Sequence, residues 1–128
     1  MRGESDLQTL VSSMAPDLRP GPYVFTTAAG VPAGCAPVVT VREDEGTTLV
    51  LRQEEADRLG LPYDYVAEMI TLRVHSALDA VGLTAFVATR LAEAGMSCNV
   101  VAGYHHDHLF VPFPRGPEAV ALLTSRAL

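Results

Sequence analysis

An α+β fold, an antiparallel sheet with its helices on one face, is what this sequence predicts. Three observations point there. Met69 to His75 alternates, with Ile70, Leu72 and Val74 on one side and Thr71, Arg73 and His75 on the other, which is the period of a strand. Leu83 to Ala94 carries apolar residues at Leu83, Phe86, Val87, Leu91 and Ala94, one stripe of a helix, and Gly95 closes it. Ser97 to Gly103 and Asp107 to Val111 read as two strands joined tightly at Tyr104 to His106. With a helix after them the order is β-α-β-β-α, one strand short of a ferredoxin-like βαββαβ unit. The missing strand has to come from the first half, where Tyr23 to Thr27 and Thr47 to Leu51 are the candidates. The two halves, residues 1–64 and 65–128, are therefore expected to pack as one compact unit, as interlocked and degenerate copies of one motif.

The remaining elements follow in chain order. Ser5 to Met14 is expected to form a short helix, capped by Ser5 with Gln8 three residues on. Its apolar face is Leu7, Leu10, Val11 and Met14. Pro16, Pro20 and Pro22 break the chain. Tyr23 to Thr27 is β-branched and aromatic, a strand, and Ala28 to Ala36 is a loop of small residues. Val38 to Val41 is short and fits either class. Glu43 to Gly46 makes an acidic turn before the strand Thr47 to Leu51. Gln53 to Leu59 is a short polar helix stopped by Gly60, and Leu61 to Glu68 is a linker. Pro117 suits the first turn of a terminal helix running over Glu118 to Arg126.

The 128 residues are 48% hydrophobic and 19% charged, enough to build a core. Fifteen acidic residues against 9 basic ones give a net charge of −6 and no basic run, which argues against nucleic acid or an anionic membrane as partner. No stretch approaches the ~18–20 apolar residues of a membrane span. Glu4 and Asp6 interrupt any apolar leader core, so a cytoplasmic protein is expected. Cys35 and Cys98 fit reduced, packed thiols in that compartment.

Nearly all groups able to do chemistry fall between His75 and His108. The segment Asp79-Ala80-Val81-Gly82-Leu83 leads into a helix whose first amides lack internal partners and attract anions. Gly82 lets a ligand approach the backbone. A zwitterion would place its carboxylate on the amides of Val81, Gly82 and Leu83 and its ammonium on Asp79. The plainer role for Asp79, or Ser76, is to cap the helix. Tyr104-His105-His106-Asp107-His108 offers donors suited to zinc, but strand alternation puts only His106 and His108 on one face. A metal-binding protein or metal-dependent enzyme built on His105, His106 and His108 is one alternative; a ligand-free assembly module is another. Cys98 has no nucleophile motif around it, and no GxSxG, P-loop or GxGxxG pattern is present.

The phrases "MITLRVHS" and "LDAVGLTAFVATRLAEAGMSCNVVAGYHHDHLFVP" resemble an ACT domain: strand, small-residue turn, helix, then a GI-N-V-like phrase, here Gly95 to Val100, leading into a hairpin. Glu43-Asp44-Glu45-Gly46-Thr47-Thr48 is similar to the "EEGLT" turn of small bacterial stand-alone ACT-like proteins. Ala102 to Asp107 stands where the cytosolic arginine sensors carry "STYxTD", with Ala102 and Gly103 in place of the Ser and Thr. The resemblance implies a ferredoxin-like ACT fold and a non-catalytic sensor or regulatory protein that binds an amino acid or similar metabolite without a cofactor. It implies a homodimer, the usual cover for an open sheet edge. It also implies that Asp107 contacts an ammonium group and that Asn99 orients the ligand, with Tyr104 or His108 helping to shape the side-chain pocket.

Overall fold

The computed structural model describes Gly3 and residues 5–124. Its elements are α1 (Leu7–Ser12), β1 (Pro16–Leu18), β2 (Tyr23–Ala28), β3 (Val39–Glu43), β4 (Gly46–Arg52), α2 (Gln53–Leu59), β5 (Val66–Leu72), α3 (Leu83–Glu93), β6 (Asn99–Ala102), β7 (Asp107–Pro112) and α4 (Gly116–Thr124). Contacts divide the chain into a unit of Gly21–Ala67 and a unit of the residues through Pro20 together with Glu68 onward.

In the Gly21–Ala67 unit the strand order is β3-β4-β2, with the start of β5 beside β2. The β2 strand pairs antiparallel with β4 along its whole length, from Tyr23↔Arg52 to Ala28↔Thr47, and with β5 at Tyr23↔Ala67 and Val24↔Val66. The two-residue turn Asp44-Glu45 joins β3 to β4, as its acidic and glycine residues predict. Val24, Leu49, Leu51 and Ala56 form a core under α2. Taking β2 as the first strand, this is the sheet order of a βαββαβ unit, with the loop from Ala29 to Val38 where the first helix would stand.

In the other unit the order is β1-β5-β7-β6. With β5 as first strand, α3, β6, β7 and α4 follow, and β1 is the fourth strand, antiparallel to β5 from Pro16↔Leu72 to Leu18↔Ile70. The core lies between this sheet and its helices: Ile70, Leu72, Leu109 and Val111 from the strands, Leu83, Val87 and Leu91 from α3, Ala119 and Leu123 from α4, and Leu10 and Met14 from α1 and its exit. Burying each large apolar side chain contributes roughly 1.5–3 kcal/mol, which is what holds helices this short.

The α+β class and the two ferredoxin-like halves stand as expected, with four differences in detail. The completing strand is β1, not Tyr23 to Thr27 or Thr47 to Leu51. Pro16 is tolerated there because β1 lies at an edge, where a missing N–H costs no ladder bond. The β5 strand runs from Val66 to Leu72 rather than from Met69 to His75. Its last four residues are all buried, so the alternation read from sequence does not mark an exposed face. The cap of α1 is Asp6, whose carboxylate accepts from the Thr9 amide at 3.0 Å and the Thr9 hydroxyl at 2.9 Å; Ser5 is not the cap. The ambiguous Val38 to Val41 becomes β3, an edge strand. The expected end of the last helix at Arg126 lies outside the described residues.

Candidate functional site

The β5–α3 connection, Arg73 to Gly82, is the longest stretch of polar loop beside the hairpin of β6 and β7. A cavity of about 430 Å³ opens there, lined by Gly3, His75, Ser76, Ala77, Leu78, Asp79 and Tyr104. That volume falls within the usual range for small-molecule sites. Local chemistry shapes it. The Ser76 hydroxyl donates to Asp107 at 3.1 Å, tying the loop to the first residue of β7. The ring of His106 sits 3.4 Å, through Nδ1, from the Val74 carbonyl. The Gly103 amide donates to the His106 carbonyl at 2.8 Å and closes the turn. A Cβ at Gly103 would stand only 2.8 Å from that oxygen, so the turn admits no larger residue without shifting.

The rim is aromatic. The His105 ring lies 5.5 Å from His75 and edge-on to Tyr104 at 5.1 Å, and Tyr104 is 66% exposed. These rings present faces and edges to a ligand while Asp79 supplies a carboxylate. Below the hairpin, His108 Nδ1 is 3.0 Å from the hydroxyl of Thr71, a residue with no solvent exposure. Arg19 donates to the same hydroxyl at 3.4 Å. Burial pushes His108 below the ordinary histidine value, and neighbouring His106 adds to the shift. Burial pushes the Cys98 thiol up to about 11, so it stays protonated at neutral pH and serves as packing.

Of the residues singled out in the sequence, Asp79 and Tyr104 line the cavity. Asp107 reaches it through Ser76. His108 lies on β7 against Thr71. The helix cap is Gly82 rather than Asp79 or Ser76. Gly82 has φ +106°, and a Cβ there would meet Leu7 at 3.1 Å. Its lack of a side chain therefore serves the seating of α1 as well as the turn. Val81 is 83% exposed, and Leu83 is buried in the core. Asn99 pairs with Phe110, while Ala102 and Asp107 pair at the turn end of the hairpin. Three strand steps, roughly 10 Å, separate Asn99 from that end. Among the described residues no group of three or more His, Cys, Asp or Glu is arranged to hold a metal. His75, Ser76 and Leu78 line the cavity without having been assigned to it from sequence; reading β5 as continuing through His75 put these residues on a strand or at its end instead of in a loop.

Two ferredoxin-like units make up the described chain, and one of them has a cavity in the loop after its first strand. One ACT-domain model matches residues 2–68 and a second matches residues 65–125. This chain belongs to the ACT-domain family, whose members are in general regulatory domains that bind small ligands. It is similar to a Vibrio cholerae protein of unknown function, described as a possible transport protein, at 46% identity over 95% of this chain and 96% of that one, with a TM-score of 0.85. An Agrobacterium tumefaciens protein shares the fold at 21% identity, TM-score 0.71, over 84% of each chain. A chain of the aspartokinase α and β subunits shares it at 10% identity, TM-score 0.59, over 84% of this chain and 93% of that one. No curated protein matches. No helix among the described residues is long and apolar enough to cross a membrane.

Proposed function

We propose that this protein is a non-catalytic cytoplasmic sensor that binds an amino acid or a similar zwitterion in the cavity of the β5–α3 loop, and that it works as a homodimer. The observation that carries the reading is the lining itself: the Asp79 carboxylate, the hydroxyls of Ser76 and Tyr104 and an aromatic rim around about 430 Å³, on a loop pinned to the hairpin. Asp79 takes the ammonium group. The loop amides take the carboxylate, and Ser76, whose proton goes to Asp107, turns a hydroxyl lone pair to the ammonium beside Asp79. Tyr104, His75 and Leu78 meet the side chain. Family membership supports a regulatory small-ligand role.

The test is a thermal-shift screen against the twenty amino acids. A ligand present at 100 times its dissociation constant adds about 2.7 kcal/mol. The expected result is a midpoint rise of several degrees with one or two amino acids, abolished in Asp79→Ala, while Glu93→Ala, on the exposed side of α3, responds like the wild type. If none of the twenty shifts the midpoint, free proteinogenic amino acids are removed as the ligand. The dimer is checked by light scattering; a monomer at tens of micromolar would refute it.

A further inference from the structure

A second cavity, in the Gly21–Ala67 unit, has no part in the reading above. It is an open groove of about 550 Å³, lined by Phe25, Thr26, Thr27, Thr48, Pro62, Tyr63 and Asp64. Its origin lies in strand lengths. The β2 strand pairs with β5 at Tyr23 and Val24, then continues to Ala28, past the point where β5 begins at Val66. From Phe25 onward its neighbour is the segment Leu61 to Tyr65, which stands off and leaves a groove.

The groove is fixed rather than left to chance. The Thr26 hydroxyl donates to the Pro62 carbonyl at 2.5 Å. The Tyr63 hydroxyl donates to Asp57 at 2.7 Å and accepts from Gln53 at 3.1 Å, which bolts the segment to α2 and leaves the body of the ring for the groove. The Phe25 ring packs tilted against Tyr65, centroids 6.1 Å apart. A site whose walls are held before binding spends little affinity on ordering them.

The lining has a definite chemistry. Phe25 and Tyr63 supply aromatic surface, and Thr26, Thr27 and Thr48 supply hydroxyls. The one charged group among the lining residues is the carboxylate of Asp64. The charges hydrogen-bonded to the lining are also acidic: the Thr48 hydroxyl is bonded to Glu43 and the Tyr63 hydroxyl to Asp57. Aromatic faces beside a carboxylate, with no lining base, select a cation carrying an apolar body. The position matters too. With β2 as first strand and β5 as fourth, the groove lies where the first strand ends beside the segment leading into the fourth. In the other unit the loop cavity also follows the end of a first strand, β5, and there the amides of Arg73 and Val74 donate to the carbonyls of Ala15 and Met14, the segment leading into the fourth strand, β1. Each unit thus has a cavity near the end of its first strand, but the loop cavity faces the β6–β7 hairpin through Tyr104, whereas the groove faces the segment leading into the fourth strand.

We propose that the Phe25–Asp64 groove is a second small-molecule site, and that it takes an organic amine: a monocation with an aromatic or branched apolar body. Asp64 holds the ammonium, Phe25 and Tyr63 sandwich or flank the body, and Thr27 fixes its orientation. The assignment stands whether or not the loop cavity binds an amino acid, because the two sites share no residue.

The probe is phenethylamine, titrated into the whole isotope-labelled chain and followed by amide chemical shifts. Saturable shifts at Thr26 to Ala28, Thr48 and Tyr63 to Asp64 are expected. The neutral isostere 2-phenylethanol should bind about fivefold more weakly or worse, as should phenethylamine to Asp64→Asn, the factor expected for losing one partly exposed ion pair. Thr27→Trp, which fills the groove from its exposed side, should abolish the shifts; the dispersion of the remaining amide signals reports whether each variant is folded. Three results would each overturn the proposal: shifts that rise linearly without saturating, equal affinity for amine and alcohol, or shifts centred on Ser76 to Asp79 while the groove amides stay still.

Discussion

Burial favours the neutral form of His108, and the hydroxyl of Thr71 is its hydrogen-bond partner there. Thr71 is fully buried, so its hydroxyl has to be satisfied inside the protein. It accepts from the Arg19 guanidinium, which leaves its own proton available to His108 Nδ1, the arrangement that suits a neutral imidazole bare at that nitrogen. Burial, His106, Arg19 and Arg73 all favour that neutral form, and only Asp107 opposes it. The sign of the pH dependence follows. The unfolded chain takes up a proton near the ordinary value of 6.5, and the folded chain does so only lower. The contribution of His108 to stability is therefore complete above about pH 6.5 and falls away as the pH drops toward the folded value. Melting temperatures between pH 7.5 and 5.5 should fall more steeply for the wild type than for His108→Gln; parallel slopes would dispose of the assignment. The sequence set His108 in a cluster of histidines, the residue type that titrates nearest neutral pH. It gave no sign that its partner would be a threonine 37 positions away, because a residue in an alternating strand reads as outward-facing until its second cover is known.

Short elements were the harder ones to read, and the reason is physical. The α3 helix has eleven residues and a clean apolar stripe at Leu83, Val87 and Leu91, so periodicity alone placed it to within a residue. The β1 strand has three residues and begins with proline, and nothing local distinguishes it from a bend. It exists because β5 offers it an edge. The α1 helix has six residues, too few to persist by itself, and stands because Leu10 and Met14 enter the core. Leu10→Ala should cost about 2–5 kcal/mol in urea unfolding, the range for removing a fully buried leucine. A loss below 1 kcal/mol would mean that α1 is not part of the cooperative core. The contact between Leu7 and Gly82 gives a second handle on the same helix. Gly82→Ala brings a methyl to within 3.1 Å of Leu7 on a backbone at φ +106°, and a destabilisation of about 1–3 kcal/mol is expected. Pairing it with Leu7→Ala separates the two causes: relief in the double variant identifies the clash, and none leaves the backbone conformation as the whole effect. The N-terminus of α4 shows what sequence hides at this scale, since its first amide, that of Gly116, is held at 2.6 Å by Glu68 on β5.

Across the whole chain, the same strand order occurs twice, β3-β4-β2-β5 and β6-β7-β5-β1, with β5 fourth in one set and first in the other. The count of elements in the second half showed that a strand was owed from the first, which is why interlocked halves were legible without any residue-level repeat. Which strand would be supplied was not legible, because the choice depends on register along β5 rather than on propensity. That register makes a prediction. A chain beginning at Gly21 lacks β1 and α1, so the edge from Ile70 to Leu72 loses its partner, and the core loses Leu10 and Met14. An unpaired, apolar edge is a template for another chain. Such a chain should be oligomeric or insoluble by light scattering. A synthetic peptide of residues 5–20, added in excess, should restore a soluble one-to-one complex by supplying the fourth strand in trans. A peptide with Leu18→Asp should fail, because it replaces a side chain that packs on the core with a charge. If the shortened chain is instead soluble and melts where the full chain does, β1 is an ornament, and the second ferredoxin-like unit is complete with three strands.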